Sequence, residues 1–376
     1  MRRDLAIDAL RGLAIWSMVS LHFADGTWAA EPTHSFPYMD GMSAFVLLSG
    51  LVLGIVHRRW TQRFSLRYSL TRLAQRIAVL YVCQAVIGLI AVWVASAMTG
   101  REFREIAVLP YRPDVGSKIE WALTLRYLPS GGNILLMYLI MMVIAVGAIA
   151  LLVRGLWPVV AAASIALYVA SHLWPASWMM IHSAPDWYGI QNWAAWQIVF
   201  MLALVVGWQW ETWRMPERID NALPVLIAVS VAVAFTIEDV IRSPDVLPDA
   251  EFLIDKVRLG PIRVVVAFLV MTTLYGVLTR VLRWTRRDVL RPLVSTGARS
   301  LDAYVIQATC LLTIPAVLIE RPWSQGLAVG LALGVYAVCW AWAEARTRFG
   351  IDKLHRLPVR AAHAASTRVR RAERVS

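Results

Sequence analysis

Apolar residues in this chain do not alternate with polar ones. They run together in blocks of about twenty, broken by short polar or arginine-rich stretches. A hydrocarbon core roughly 30 Å thick takes about that many helical residues to cross. Ten such blocks are legible, at 5–24, 39–57, 73–98, 131–153, 156–174, 191–210, 222–240, 262–283, 293–319 and 324–345. The pattern predicts an all-α, polytopic membrane bundle of about ten helices within residues 1–350, followed by a basic tail at 351–376. The first block carries Asp8 and Arg11 and no small-residue cleavage site follows it, so it reads as a retained helix rather than a signal peptide.

Basic residues orient the bundle, because positively charged loops stay on the cytoplasmic side. With the N-terminus inside, cytoplasmic segments hold 25 lysines and arginines and the opposite loops hold 9, which places both termini in the cytoplasm. This asymmetry also accounts for the net charge of +12. It leaves a nucleic-acid partner unsupported and assigns the tail to lipid headgroups or solvent. Arginine far outnumbers lysine, as in a GC-rich bacterial genome, so the membrane expected is the bacterial cytoplasmic (inner) membrane. The chain is 59% hydrophobic and only 16% charged, and no soluble catalytic domain is legible. Chemistry is therefore expected in the bundle or in its longer outer loops, 99–130 and 241–261.

Cys83, Cys310 and Cys339 all lie in apolar runs without metal-ligand spacing and read as small buried side chains. His172 and His182 fall in one outer loop with no evident third ligand, so no metal site is expected. Nucleophile elbows and phosphate-binding glycine loops are also missing from the sequence. Nothing in it signals an oligomeric state.

The polar residues of the first block are more informative. Arg11 and His22 are eleven positions apart, so on an ideal helix they share a face and stand roughly 16 Å apart along the axis. Asp8 lies one turn before Arg11, where a carboxylate and a guanidinium can pair. A plain reading is an ion pair at the inner surface and an ordinary interior histidine. The other reading is a stripe with a cation near the cytoplasm and a group that titrates near neutrality farther out. Such a stripe suits an enzyme that grips a phosphate-bearing donor from inside. It equally suits a transporter or flippase of acyl or glycolipid species, although no repeat relates the two halves of the chain. A scaffold without chemistry would leave the stripe unexplained.

The stretch "RDLAIDALRGLAIWSMVSLHF", with its arginine, ten residues and then a histidine, resembles the start of the acyltransferase type 3 membrane O-acyltransferases. "YMDGMSAFVLLSGLVLG", "QNWAAWQIVFMLALVVG", "DKVRLGPIRVVVAFLV" and "GARSLDAYVIQATCLL", in that order, resemble the OpgC branch of that superfamily. The tryptophan-rich "SHLWPASWMMIHSAPDWYG" departs from that branch in a segment expected outside, where an acceptor approaches.

The resemblance implies an O-acyltransferase moving an acyl group, with succinyl and acetyl as candidates, from cytoplasmic acyl-CoA to a hydroxyl of an extracytoplasmic cell-envelope glycan. It implies acyl-CoA as donor substrate and no tightly bound cofactor. His22 would be the general base, Arg11 a contact to the donor and Asp8 its positioner. Arg72 and Arg76, one turn apart, would hold the donor's nucleotide phosphates. Asp40 would bind an acceptor hydroxyl or cap a helix. Asn192, Trp196 and Gln197 fit sugar recognition, and Trp196 alone also fits an aromatic belt. Arg258 and Arg263 would hold an acyl carboxylate or an oxyanion, or else pair with Asp255 at the interface. Ser49 and Gly50 read as small residues that let helices approach.

Overall fold

The computed structural model describes residues 4–97, 114–129, 132–183, 188–242, 251–285, 289–315 and 322–350. The tail at 351–376, Arg101, Arg104, Arg112 and Arg321 lie outside them. Fourteen helices occur among the described residues. Seven are long and apolar enough to cross a membrane: α1 (Leu5–Ala24), α3 (Gly41–Arg63), α4 (Leu66–Ala97), α6 (Asn133–Val153), α9 (Met215–Arg242), α11 (Pro261–Trp284) and α14 (Gln325–Arg348). Two shorter apolar helices are α7 (Trp157–Leu173) and α8 (Trp193–Trp208). The others are α2 (Glu31–His34), α5 (Val115–Leu123), α10 (Glu251–Ile254), α12 (Arg291–Ala298) and α13 (Ser300–Thr313). The protein is an all-helical membrane protein with one small exception. Within the tryptophan-rich segment, β1 (Met180–Ser183) and β2 (Tyr188–Asn192) form an antiparallel hairpin with an irregularity between Ile181 and His182. His172 lies in the last turn of α7 rather than in that loop.

Helix starts follow capping chemistry. The Asp4 carboxylate accepts from the amides of Ala6 and Ile7 at the head of α1, Asp40 from Ser43 at the head of α3, and Asn192 from Ala195 at the head of α8. Each satisfies amides that have no intrahelical partner. The third block begins earlier than its hydropathy suggests, because α4 runs for 32 residues from Leu66. The ninth block, expected as one helix over 293–319, is instead two. Arg299 leaves helical geometry at φ −123° and ψ 31°, separating α12 from α13.

Backbone contact explains where that break falls. α12 crosses α1 so closely that a Cβ on Gly12 would sit 2.0 Å from the Leu293 carbonyl oxygen, and one on Gly297 would sit 1.8 Å from that of Asp8. A second crossing joins α3 to α8. There Gly50 and Gly54, four apart, meet the carbonyls of Phe200 and Leu204, and Gly207 meets that of Leu51. Lipid tails are as apolar as leucine, so membrane helices associate by such close packing rather than by hydrophobic exclusion. α8 is buried almost all round and forms the centre of the bundle. α9 lies at the edge, exposing Val225 and Phe235, with Ser230 and Thr273 joined across α9 and α11 at 2.9 Å.

The two ends of the bundle differ in charge. Arg59 pairs with Glu211, Arg280 and Arg283 with Asp220, and Arg291 with Glu344 at one end. Exposed Trp284 and Phe349 belong to this arginine-rich end, while exposed Trp28, Trp174 and Trp178 belong to the opposite end. Aromatic side chains at both ends are the usual mark of membrane–water interfaces.

Valine at Gly12 or Gly297 is expected to destabilise the fold by about 1–3 kcal/mol or more, because the obstructing atoms are backbone. Gly330→Ala, where an added Cβ meets nothing within 4 Å, should be nearly neutral. Thermal unfolding of the purified variants in detergent checks both outcomes.

Candidate functional site

A cavity of about 1240 Å³ lies between α1, α3, α4, α6, α12 and α14. It exceeds the roughly 300–1,000 Å³ of most small-molecule pockets. Its wall contains Arg11, Arg72, Arg76 and Arg346, together with Ser49, His57, Trp60, Tyr68, Gln75 and Tyr138. Three arginines singled out in the sequence thus meet in one space, joined by a fourth from the far end of the chain. Ser49 and Tyr138 are eight and five residues from the opposite-end termini of α3 and α6, so the cavity reaches past the middle of the bundle.

Each basic side chain is held differently. Arg11 donates from Nη2 to Ser300 Oγ at 2.5 Å. Ser300 is the first residue of α13, so the Arg299 break and the neighbouring Gly12–Gly297 crossing together fix this contact. Asp8 is buried one turn before Arg11, with its own carbonyl against Gly297. Arg72 donates to Tyr68 Oη at 3.1 Å and Gln75 Oε1 at 3.2 Å, and its guanidinium lies 5.2 Å from the Tyr68 ring centre. Arg346 pairs with Asp302, which also accepts from Trp342 Nε1 at 3.2 Å. Among the described residues no carboxylate pairs with Arg72 or Arg76, and none lines the cavity. A cleft wall carrying net positive charge favours a polyanionic ligand.

His57 is the histidine that this cavity presents. Its Nδ1 lies 2.7 Å from Ser69 Oγ, and its ring meets Trp60 edge-on at 4.9 Å. His22 is half-buried in the last turn of α1 and does not line this cavity. The stripe expected along α1 therefore joins the cavity at Arg11 only.

Most of the residues expected to meet an acceptor make contacts within the fold. Trp196 is 0% exposed and donates from Nε1 to the Lys256 carbonyl, so its face is not available for stacking on a sugar. Gln197 exchanges bonds of 2.8 Å with the hydroxyl and carbonyl of Ser164, tying α8 to α7. Asn192 is the cap of α8, and its own amide donates to the Val257 carbonyl. Asp40 caps α3 and pairs with Lys256 at 2.9 Å. Burial works against its charged form, but the Lys256 ammonium and the bonds from Ser43 outweigh that, and Asp40 titrates below the ordinary carboxylate range. Arg263 donates to the carbonyls of Ile254 and Tyr38 and covers the Tyr38 ring at 5.7 Å. Arg258 is exposed, and Asp255 accepts from the backbone amides of Val257 and Arg258, not from either guanidinium. These groups stitch α3, α8 and α11 together at the end opposite the arginines.

Sequence reading passed over His57, Ser69, Tyr68, Tyr138 and Ser300. His57 closes an apolar run just before Arg58 and Arg59, where it looks like one more polar residue at a membrane edge. Ser300 is 289 positions from Arg11, and no local pattern links them.

The described residues thus define an all-helical membrane protein with an arginine-walled cavity. The chain belongs to the OpgC protein family, whose model matches residues 3–351. Membership makes it a transferase, of the membrane-associated, glycan-modifying acyltransferase kind. No curated protein and no solved structure matches the chain.

The Asp40 geometry yields a pH prediction. A carboxyl held below its unfolded value of about 3.9 contributes stability above that pH and loses it as pH falls through the folded value. Wild-type protein should therefore lose this contribution only in acid below about pH 4. Asp40→Ala should be less stable at neutral pH by about 1–2 kcal/mol, the worth of a cap, and should lack that acid-dependent step. Unfolding midpoints measured from pH 7 to pH 3 check it.

Proposed function

We propose that this chain is an integral-membrane O-acyltransferase that carries an acyl group, succinyl or acetyl, from cytoplasmic acyl-CoA to a hydroxyl of an extracytoplasmic cell-envelope glycan. The observation that carries the reading is the pair Arg72 and Arg76. They stand one turn apart without a carboxylate partner on the wall of a deep cavity, with Arg11 farther along the same wall. Planar guanidinium forks bind phosphate oxygens in pairs, and this arrangement suits a polyphosphate held near one membrane face. Asp8 and Ser300 position Arg11 from either side.

In this reading the arginine-rich end faces the bacterial cytoplasm, and the basic tail at 351–376 lies along anionic lipid. The seven long helices, the two short ones and the α12–α13 pair make ten crossings with both termini inside. The nucleotide of acyl-CoA is too polar to cross a bilayer, so only the thioester end reaches toward the far side. His22 Nε2 or Nδ1 takes the proton of the acceptor hydroxyl as its oxygen attacks the thioester carbonyl. The C–S bond then breaks, and the thiolate leaves and is protonated. Transfer is direct, without an acyl-enzyme. The acceptor approaches over the hairpin and the α10–α11 segment, whose groups near Asp40, Asn192, Trp196, Gln197, Arg258 and Arg263 shape that face from within.

Purified protein in lipid nanodiscs, given labelled succinyl- or acetyl-CoA and a panel of envelope glycans, tests this. His22→Ala should abolish transfer and leave CoA binding within twofold of wild type. Arg72→Ala and Arg76→Ala should each weaken CoA binding about tenfold or more, the usual loss for a charge-assisted hydrogen bond. Movement of an acyl or glycolipid species across the bilayer with no donor consumed would instead make this a transporter.

A further inference from the structure

Two glutamines deep in the bundle have no role in the contacts described so far. Gln84 on α4 is 1% exposed and Gln307 on α13 is 0% exposed. Among the described residues, neither the nitrogen nor the oxygen of either amide has a hydrogen-bond partner. A buried amide left unpaired bears its full desolvation penalty, and a leucine of similar volume in the same place bears none. Keeping two such groups in a membrane interior calls for something that hydrogen-bonds to them.

Their position narrows what that is. Gln307 lies two turns beyond Ser300 on α13, about 10 Å farther from the Arg11 contact and on the same face of the helix. Gln84 lies eight residues beyond Arg76 on α4, about 12 Å farther along. His22 is about 16 Å beyond Arg11 on α1. Both amides therefore fall in the interval between the arginines and the histidine. The Gln84 amide nitrogen lies beside Gly132 at the head of α6, and Gln307 is one aromatic layer from the cavity. Tyr138, on its wall, packs on Phe45 at 5.9 Å, and Phe45 packs on Tyr304 at 5.7 Å, one turn from Gln307.

We infer that Gln84 and Gln307 form an interior subsite for the amide-bearing arm of the thioester donor, reached when the Phe45 ring moves aside. The inference rests on the donor reading given above. A glutamine amide offers two N–H donors and one carbonyl acceptor, and a secondary amide offers one of each, so the pairing satisfies both. An arm with two such amides is about as long as four extended residues, roughly 13–14 Å. That length covers most of the roughly 16 Å from Arg11 to His22, and the reach of the two side chains covers the rest. An acceptor hydroxyl entering from the other face needs to come only as far as His22.

Binding of two probes to nanodisc-embedded protein tests this: CoA, and adenosine 3′,5′-bisphosphate, which keeps the base and two of the three phosphates but lacks the arm. Gln84→Leu and Gln307→Leu should each weaken CoA binding about tenfold and leave the bisphosphate unchanged. Arg72→Ala should weaken both. Each leucine variant should also unfold about 2–4 °C higher than wild type without ligand, since an unmet polar group has been removed. Unchanged CoA affinity, or a lower melting temperature without ligand, overturns the subsite. Lost transfer with CoA affinity intact also overturns it, and would place the amides on the acceptor's path. Failure of the wild type to bind either probe overturns the donor reading together with the subsite.

Discussion

The crossing of α1 and α12, backbone against backbone at Gly12 and Gly297, is the contact on which the site depends. Lipid gives helices no hydrophobic reason to prefer one another, so position is set by how closely they can approach. Here they approach until a single methyl group on either glycine would overlap a carbonyl oxygen. α12 lying so close to α1 leads directly into the break at Arg299, and the break presents Ser300 to Arg11. One steric fact thus connects a glycine pair, a helix interruption and the orientation of a buried guanidinium.

Charge is distributed with the same economy. At the arginine-rich end Arg59, Arg280, Arg283, Arg291 and Arg346 have carboxylate partners, which neutralise them against one another at the membrane surface. Arg72 and Arg76 do not, and both face the cavity. Topology explains why this end is basic; local pairing decides which of its positive charges remain open to a ligand. The tyrosine under Arg72 holds its plane without removing its charge.

At the opposite end the polar residues join the helices. Gln197 clasps Ser164, Asp40 caps one helix and draws Lys256 toward it, and the Trp196 indole reaches the backbone of the same segment. Polar groups in a low-dielectric interior are strongly driven to find partners, and those that do become fasteners between helices. Gln84 and Gln307 depart from that rule. In each of them both the nitrogen and the oxygen of the side-chain amide lack a partner among the described residues.

Hydropathy alone made the helical membrane class and most helix positions legible, since crossing lipid requires about twenty apolar residues whatever the neighbours are. Asp40 as a possible cap, and Arg11, Arg72 and Arg76 as candidate contacts to a polyanion, became legible through the resemblance to a known family, not through hydropathy. Hydropathy did not show the break at Arg299, the hairpin in the tryptophan-rich segment, the partnership of His57 with Ser69, or that Trp196 faces inward. In a soluble helix the apolar stripe marks the core. In a membrane helix both the core and the lipid side are apolar, so periodicity no longer says which face looks inward. That question, and with it the fate of every polar residue in the bundle, was decided only when residues as distant as Arg11 and Ser300 came into contact.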